Sequence, residues 1–147
     1  QPAFARGEVE KSYLVRVSGS PPSDSFVGDA RISDAPGPLG SRGVDESQGL
    51  AARTNFEVLH RFDDGTTLLQ ARPLTGRTNQ IRIHLWQLGL PVLGDPAYLA
   101  GGRLGETQTL PLSAPPLCLH ALSIRFPHPQ TGAWVGFSTP APDWAQR

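Results

Sequence analysis

Methionine is absent from this 147-residue chain, cysteine and lysine occur once each, and aromatic residues make up only 7%. A single thiol, Cys118, excludes a disulfide framework. Its apolar surroundings, Leu117-Cys118-Leu119, favour a buried thiol over a reactive one. No apolar run approaches the roughly 20 residues that a membrane-spanning helix needs, and no secretory signal pattern is visible. No membrane partner is expected, and the expected location is the cytoplasm. The four histidines stand singly at 60, 84, 120 and 128, with no Cys or carboxylate at ligand spacing, which argues against a zinc site. Trp86, Trp134 and Trp144 are too far apart to read as a stacking platform. Positive and negative residues balance at 13 each, so bulk charge does not point to a nucleic-acid partner. A translated chain starts with Met, and this one starts at Gln1 and has none. It is therefore expected to be the C-terminal part of a longer polypeptide.

What is present is arginine, 12 of the 13 positive residues, together with 16 Gly and 15 Pro. Arginine suits bidentate phosphate contacts and stacking on bases, although a GC-rich genome explains the bias equally well. The length suits one core and one domain. Residues 11 to 18 alternate as a strand, with Tyr13, Val15 and Val17 on one side and Leu14 and Arg16 on the other. Residues 19 to 50 read as a long loop holding short strands at Phe26-Val27 and at Ala30 to Ile32. Residues 53 to 61 and 66 to 73 read as two strands joined at Asp63-Asp64-Gly65, a strong hairpin signal. Residues 100 to 116 again read as loop, and 117 to 126 and 133 to 138 as a last strand pair around His128-Pro129-Gln130-Thr131-Gly132. Hairpin-linked strands with one strong helix give an α+β fold with a largely antiparallel sheet.

The helix is the densest signal. In Leu74-Thr75-Gly76-Arg77-Thr78-Asn79-Gln80-Ile81-Arg82-Ile83-His84-Leu85, Thr75-Gly76 reads as a tight turn and Thr78 as the cap of a helix over about 78 to 88. Ile81, Leu85 and Leu88 share one stripe, and Gly89 stands where a C-terminal glycine is expected. Arg82 lies at the stripe's edge, where packing holds its fork ready for a carboxylate or phosphate. A solvated surface arginine is the competing reading. His84 reads as a satisfied, partly buried histidine, Gln80 as a local hydrogen-bonding residue, and Asp95 as a turn acceptor.

This run, continued by Leu88-Gly89-Leu90-Pro91-Val92-Leu93-Gly94-Asp95-Pro96-Ala97-Tyr98, resembles the signature of the RluA-type pseudouridine synthases. One residue departs from it: Asn79 stands where the family has His. Lys11-Ser12-Tyr13-Leu14-Val15-Arg16-Val17-Ser18-Gly19 resembles the family's Lys-x-Tyr strand, with Val15 at the usual Ala. Gly49 to Leu59, Leu119-His120-Ala121, Pro127 to Gly132 and Pro140 to Trp144 extend the likeness over nearly the whole chain.

The resemblance implies a mixed sheet of the pseudouridine synthase type and conversion of uridine to pseudouridine in ribosomal or transfer RNA. The glycosidic bond breaks, the uracil turns over and a carbon–carbon bond forms, with neither metal nor cofactor. It implies that Tyr13 stacks on the flipped-out uracil and acts as a base, and that Arg82 pairs with a catalytic aspartate. Arg77, Thr78 and Asn79 are the candidate RNA contacts. The family's aspartate lies in an Arg-Leu-Asp-x-x-Thr-Ser-Gly motif upstream of the tyrosine strand, and no Asp precedes Tyr13 here. His60-Arg61-Phe62-Asp63 imitates that motif but follows the strand and sits in the hairpin. The chain is thus expected to supply the Tyr and Arg part of a site and to be inactive alone. Its expected partners are RNA and the upstream portion of the same protein, and a dimer of the fragment is a further expectation. A non-catalytic RNA-binding module and a degenerate scaffold remain as other readings.

Overall fold

The computed structural model describes residues 9–37, 41–107 and 111–147. One six-stranded antiparallel sheet organises them, in the order β2-β3-β4-β1-β7-β8. Its strands are β1 (Glu10–Ser18), β2 (Ser25–Gly28), β3 (Thr54–Arg61), β4 (Thr66–Pro73), β7 (Leu119–Pro127) and β8 (Trp134–Ser138). Among the described residues one α-helix, α1 (Gln80–Gln87), lies between β4 and β7 in sequence, followed by a small hairpin, β5 (Tyr98–Leu99) and β6 (Arg103–Leu104).

The alternation in β1 divides the core. Val15 and Val17 join Leu69, Ala71 and Phe56 beneath Ile81 and Leu85 of α1. On the other face Leu14 and Leu68 pack under Ala145, beside Trp144. Arg16 fastens that C-terminal segment to the sheet by donating to the Trp144 carbonyl (3.1 Å), Thr66 Oγ1 (2.9 Å) and Asp64 Oδ2 (2.9 Å), with its guanidinium 3.7 Å from the centre of the Phe62 ring. The Asp63-Asp64-Gly65 hairpin forms as expected: Asp64 accepts from the Thr66 amide and hydroxyl, and Gly65 takes φ 83°. The Thr66 hydrogen bonds, followed by the Arg16 charge, hold the Asp64 carboxyl below the usual range.

An isolated helix of eight residues is unstable in water, so burial must hold α1. Its two sides are both buried: Ile81 and Leu85 against the sheet, and Ile83 against Ile32, Ala52, Ala97 and Tyr98. At roughly 1.5–3 kcal/mol for each large buried side chain, those contacts outweigh the weak local propensity. The expected single stripe is therefore corrected. Leu88 is exposed, because the helix has ended and Leu88 is its C-cap, while His84 is fully buried in its place. The expected start is corrected too. Thr78 is exposed and caps nothing; the N-cap is Asn79, in the left-handed region at φ 58°, ψ 24°. The glycine stop holds: Gly89 has φ 79°, its amide donates to the Trp86 carbonyl and that of Leu90 to Leu85, the paired bonds of a Schellman ending.

Between 19 and 50 the described residues are less irregular than composition suggested; 38 to 40 lie outside them. β2 forms at Phe26-Val27, but the expected strand at Ala30 to Ile32 shrinks to single bridges from Ile32 to Val44 and Leu50. Ile32 is fully buried, and this loop closes the outer side of α1. In the stretch from 100 to 116, β6 pairs with β5, and residues 108 to 110 lie outside the described residues. Among the described residues no helix is long and apolar enough to cross a membrane.

β2 reaches α1 because it ends in glycine. A Cβ on Gly28 would lie 2.7 Å from His84 Cβ, whereas one on Gly43 would meet nothing within 4 Å. Gly28→Ala is expected to cost about 1–3 kcal/mol by overpacking and Gly43→Ala to stay within about 0.5 kcal/mol of the parent, both read by urea unfolding.

Candidate active site

The turn before α1 forms one wall of a cleft. Gln80 holds this turn with all of its donors and acceptors. Its Oε1 accepts from Thr75 Oγ1 (2.6 Å) and the Arg77 amide (3.1 Å); its Nε2 donates to the Arg53 carbonyl and to Thr54 Oγ1 (both 2.9 Å). Thr75 Oγ1 also accepts from the Arg53 amide, tying the turn to the start of β3.

The chain of bonds continues inward. The Thr54 hydroxyl accepts from Gln80 and so donates to His84 Nδ1 (2.9 Å), while His84 Nε2 lies 2.9 Å from the Ala30 carbonyl, which can only accept. The proton is therefore assigned to Nε2. Burial pulls the His84 pKa below 6.5, against the opposing pull of the Ala30 bond and of Asp29 and Glu46. As read from the sequence, Gln80 and His84 serve local structure.

Arg82 is held from several sides. Nε and Nη2 donate to Asp95 Oδ2 and Oδ1, each at 2.7 Å, and Nη1 lies 3.3 Å from Asn79 Oδ1. The Asp95 side chain is fully buried and that of Arg82 is 12% exposed. Asp95 Oδ1 also accepts from the amides of Ala97 (2.9 Å) and Tyr98 (3.1 Å), the turn role its sequence suggested. Tyr98 lies under the guanidinium, its ring centre 5.0 Å away, and its hydroxyl accepts from Asn79 Nδ2 (3.3 Å).

Arg82, Tyr13, Arg77 and Asn79 line one cleft of about 320 Å³, with Lys11 at its edge and Leu117 and Leu119 as apolar wall. That volume is at the small end of ligand pockets. Tyr13 is half-buried, and its cross-strand neighbours on β4 and β7 are Ala71 and Ala121, too small to cover its ring. β7 bulges beside it, with Leu122 unpaired between the Ser12 and Tyr13 partners. Arg77 donates from Nε to the Ala51 carbonyl (2.8 Å) and leaves its Nη groups without a bond among the described residues. Thr78 is exposed and does not line the cleft. The imitation motif at Asp63 lies beyond the Ser18–Thr66 pair, five residues along β1 from Tyr13 and so roughly 17 Å away.

The sequence reading missed Tyr98 as a ring under Arg82, and Asp95 as its ion-pair partner. The two acidic and basic residues are 13 apart and meet only when the chain after α1 returns along β1 through a Val17–Val92 bridge. The carboxylate that Arg82 was expected to pair with is not in this cleft among the described residues; Asp95 holds one side of the fork instead. Among the described residues no group of three or more His, Cys, Asp or Glu is placed to hold a metal.

Comparison with known proteins places this geometry. The pattern of the RNA pseudouridylate synthase family matches residues 1–87, which include Tyr13, the turn and Arg82. The chain belongs to that family. Among the family's curated members, the dual-specificity RNA pseudouridine synthase RluA of Pasteurella multocida is 43% identical over 93 residues, 63% of this chain and 39% of the relative. RluA of Escherichia coli is 34% identical over 139 residues, 94% of this chain and 60% of the relative. Ribosomal large subunit pseudouridine synthase C of Vibrio parahaemolyticus is 34% identical over 145 residues, 95% of this chain and 43% of that protein. The chain thus spans 39–60% of the length of these relatives. The solved structure of human RNA pseudouridylate synthase domain containing 1 superposes with TM-score 0.70 at 29% identity, over 96% of this chain and 58% of that one. That of the human domain containing 4 protein has TM-score 0.72 at 23% identity over 99% and 62%, a likeness of fold.

The buried, neutral His84 makes stability depend on pH in one direction. Its folded pKa is depressed, so its contribution is complete above about pH 6.5 and is lost as pH falls below that value toward the folded pKa. Urea unfolding is expected to show stability falling by up to about 1.4 kcal/mol per pH unit below 6.5, and His84→Gln to flatten that slope.

Proposed function

We propose that this chain is the tyrosine- and arginine-bearing part of an RNA pseudouridine synthase acting on ribosomal or transfer RNA. A flipped-out uridine enters the cleft, its base against the Tyr13 ring, and Tyr13 takes the proton released as the carbon–carbon bond replaces the glycosidic bond. Arg82 holds ionised a catalytic carboxylate brought by an upstream portion of the protein. Arg77 contacts RNA phosphate through its free Nη groups, Asn79 lines the cleft beside it, and Thr78 meets RNA outside the cleft. The reaction requires no cofactor. The observation that carries this reading is the pairing of a fixed, slightly exposed Arg82 with an uncovered Tyr13 ring in one cleft.

A second reading, a non-catalytic RNA-binding module, is favoured by Asp95, which already neutralises Arg82. Turnover separates the two. The full-length protein is expected to convert uridine in ribosomal or transfer RNA, read by chromatography of digested nucleosides. Arg82→Ala is expected to lower turnover by roughly a hundredfold or more beyond any loss of RNA affinity. Equal losses would make Arg82 a phosphate contact, and RNA binding without turnover in the parent would leave the binding module.

The edge strand β8 exposes Trp134 and Phe137 at 50% and 62%, which supports association of this chain with an upstream portion or with a second copy. Light scattering of the chain alone is expected to give a dimer or larger species; a stable monomer would overturn this.

A further inference from the structure

Alternation along β1 splits its residues between two faces. Tyr13 faces the cleft, and residues 10, 12 and 14 face the back of the sheet. The C-terminal segment covers that back face at Leu14 and Leu68. Toward the start of β1 the face opens as a hollow of about 580 Å³, larger than the cleft. Its floor is polar. Gln70 Nε2 donates to Ser12 Oγ (2.7 Å) and Gln70 Oε1 accepts from Arg72 Nη2 (3.1 Å), with Ser123 beside Ser12 on β7. Arg72 on β4 and Arg125 on β7 stand at its two sides, two strand spacings and so roughly 10 Å apart across the sheet.

The charge here is one-sided. Of the residues lining the hollow, Lys11, Arg72 and Arg125 are cationic and Glu10 alone is acidic. Glu10 lies 3.3 Å from Arg125 with both side chains more than half exposed, a pair worth little in water. Arg53, exposed beside Leu74, adds a further positive charge, and Glu57 stands beyond Arg72 in a separate hollow. At the opposite end of the sheet Arg16 and Arg61 are each paired with an aspartate, at 2.9 and 2.7 Å. A chain with no net charge thus gathers an excess of positive charge around this hollow. Lys11 and Pro73 line both the hollow and the cleft, so the two meet around the start of β1 and the end of β4.

A flipped nucleotide fills the cleft, and the strand on either side of it lies outside. We propose that the back hollow is a second RNA-binding surface: the strand leaving the cleft passes the sheet end at Lys11 and Pro73, and Arg72 and Arg125 donate to its phosphates. This rests on the RNA-directed reading of the cleft and adds a surface on the opposite face of the sheet. Arginine suits the role because its planar fork meets a phosphate with two bonds. A polypeptide is the poorer occupant. The apolar surface that would draw one lies on the other face, where Ile124 and Phe137 pair beside Tyr13 and Phe137 is 62% exposed. Phosphate contacts position a nucleic acid without reading its sequence, so this surface sets affinity and leaves the choice of uridine to the cleft.

The test is Arg72→Gln combined with Arg125→Gln in the full-length protein. Both side chains are exposed, so urea unfolding is expected to match the parent. Two RNAs are compared: an unmodified transfer or ribosomal RNA transcript that the parent binds, and the short stem-loop cut from it around the target uridine. On the long transcript the double variant is expected to bind about tenfold more weakly, with the slope of log K against log salt shallower by about 1.4. On the stem-loop, Kd and kcat are expected within about twofold of the parent. Equal losses on both RNAs, or no loss on either, would overturn the proposal. Arginine modification by phenylglyoxal, read by mass spectrometry, needs no variant. Arg72 and Arg125 are expected to react in the free protein and to be shielded by the long transcript only. If both are already shielded without RNA, an upstream portion of the protein occupies the hollow and the proposal falls. A parent that converts uridine while the double variant shows no such difference overturns the second surface alone. A parent that binds neither RNA overturns the reading of the cleft with it.

Discussion

Burying α1 on both sides governs the rest of this structure. A helix laid on a sheet can turn its polar residues to water, but here Ile32 and Ala52 from the loop before β3 and the Tyr98 hairpin close the outer side. Every polar side chain on the covered faces must then find a partner inside the protein, since a buried group without one costs several kcal/mol. Gln80 meets Thr75, Arg77, Arg53 and Thr54; His84 meets Thr54 and Ala30; Arg82 meets Asp95 and Asn79. Among the described residues no buried side-chain nitrogen or oxygen lacks a partner. The requirement of satisfaction thereby becomes a requirement of geometry, and the cleft wall inherits it.

The same constraint accounts for Asn79. The chain must leave the Thr75–Arg77 turn and enter α1 within two residues, which it does by one left-handed residue at φ 58°. Asparagine tolerates that region and so, more than most residues, does histidine. The departure from the family pattern at this position keeps the backbone requirement, and its side chain finds Arg82 and Tyr98. Close approach works likewise at Gly94, φ 78°, where a Cβ would lie 2.2 Å from the Pro116 carbonyl and displace the turn that presents Asp95.

Much of the architecture could be read from local signals. The β3–β4 hairpin, the last strand pair, the glycine end of α1 and the alternation of β1 are each fixed by residues within a few positions, and each appears as read. The errors have two sources. Thr78 as cap and Leu88 as core each set an end of the helix one residue too far out, and a strand at Ala30 to Ile32 gave the loop no packing role against the helix. That loop places Ile32 against Ile83, so the helix pattern carries two faces at once and its period is obscured.

The candidate site divides along the same line. Tyr13, Arg77 and Arg82 were legible because a long ordered run of residues resembles one family, and the chain's own pattern put Arg82 at the edge of a buried face. Asp95 was legible only as a turn acceptor, and Tyr98 only as the end of the run that resembles the family's signature. The sequence alone determined the strands, the turns and the kind of side chain offered to the cleft, since these depend on neighbours along the chain. Only the tertiary structure decided which carboxylate Arg82 meets and which of its donors remain, because that depends on the path after α1 back along β1, a contact between residues with no local reason to find each other.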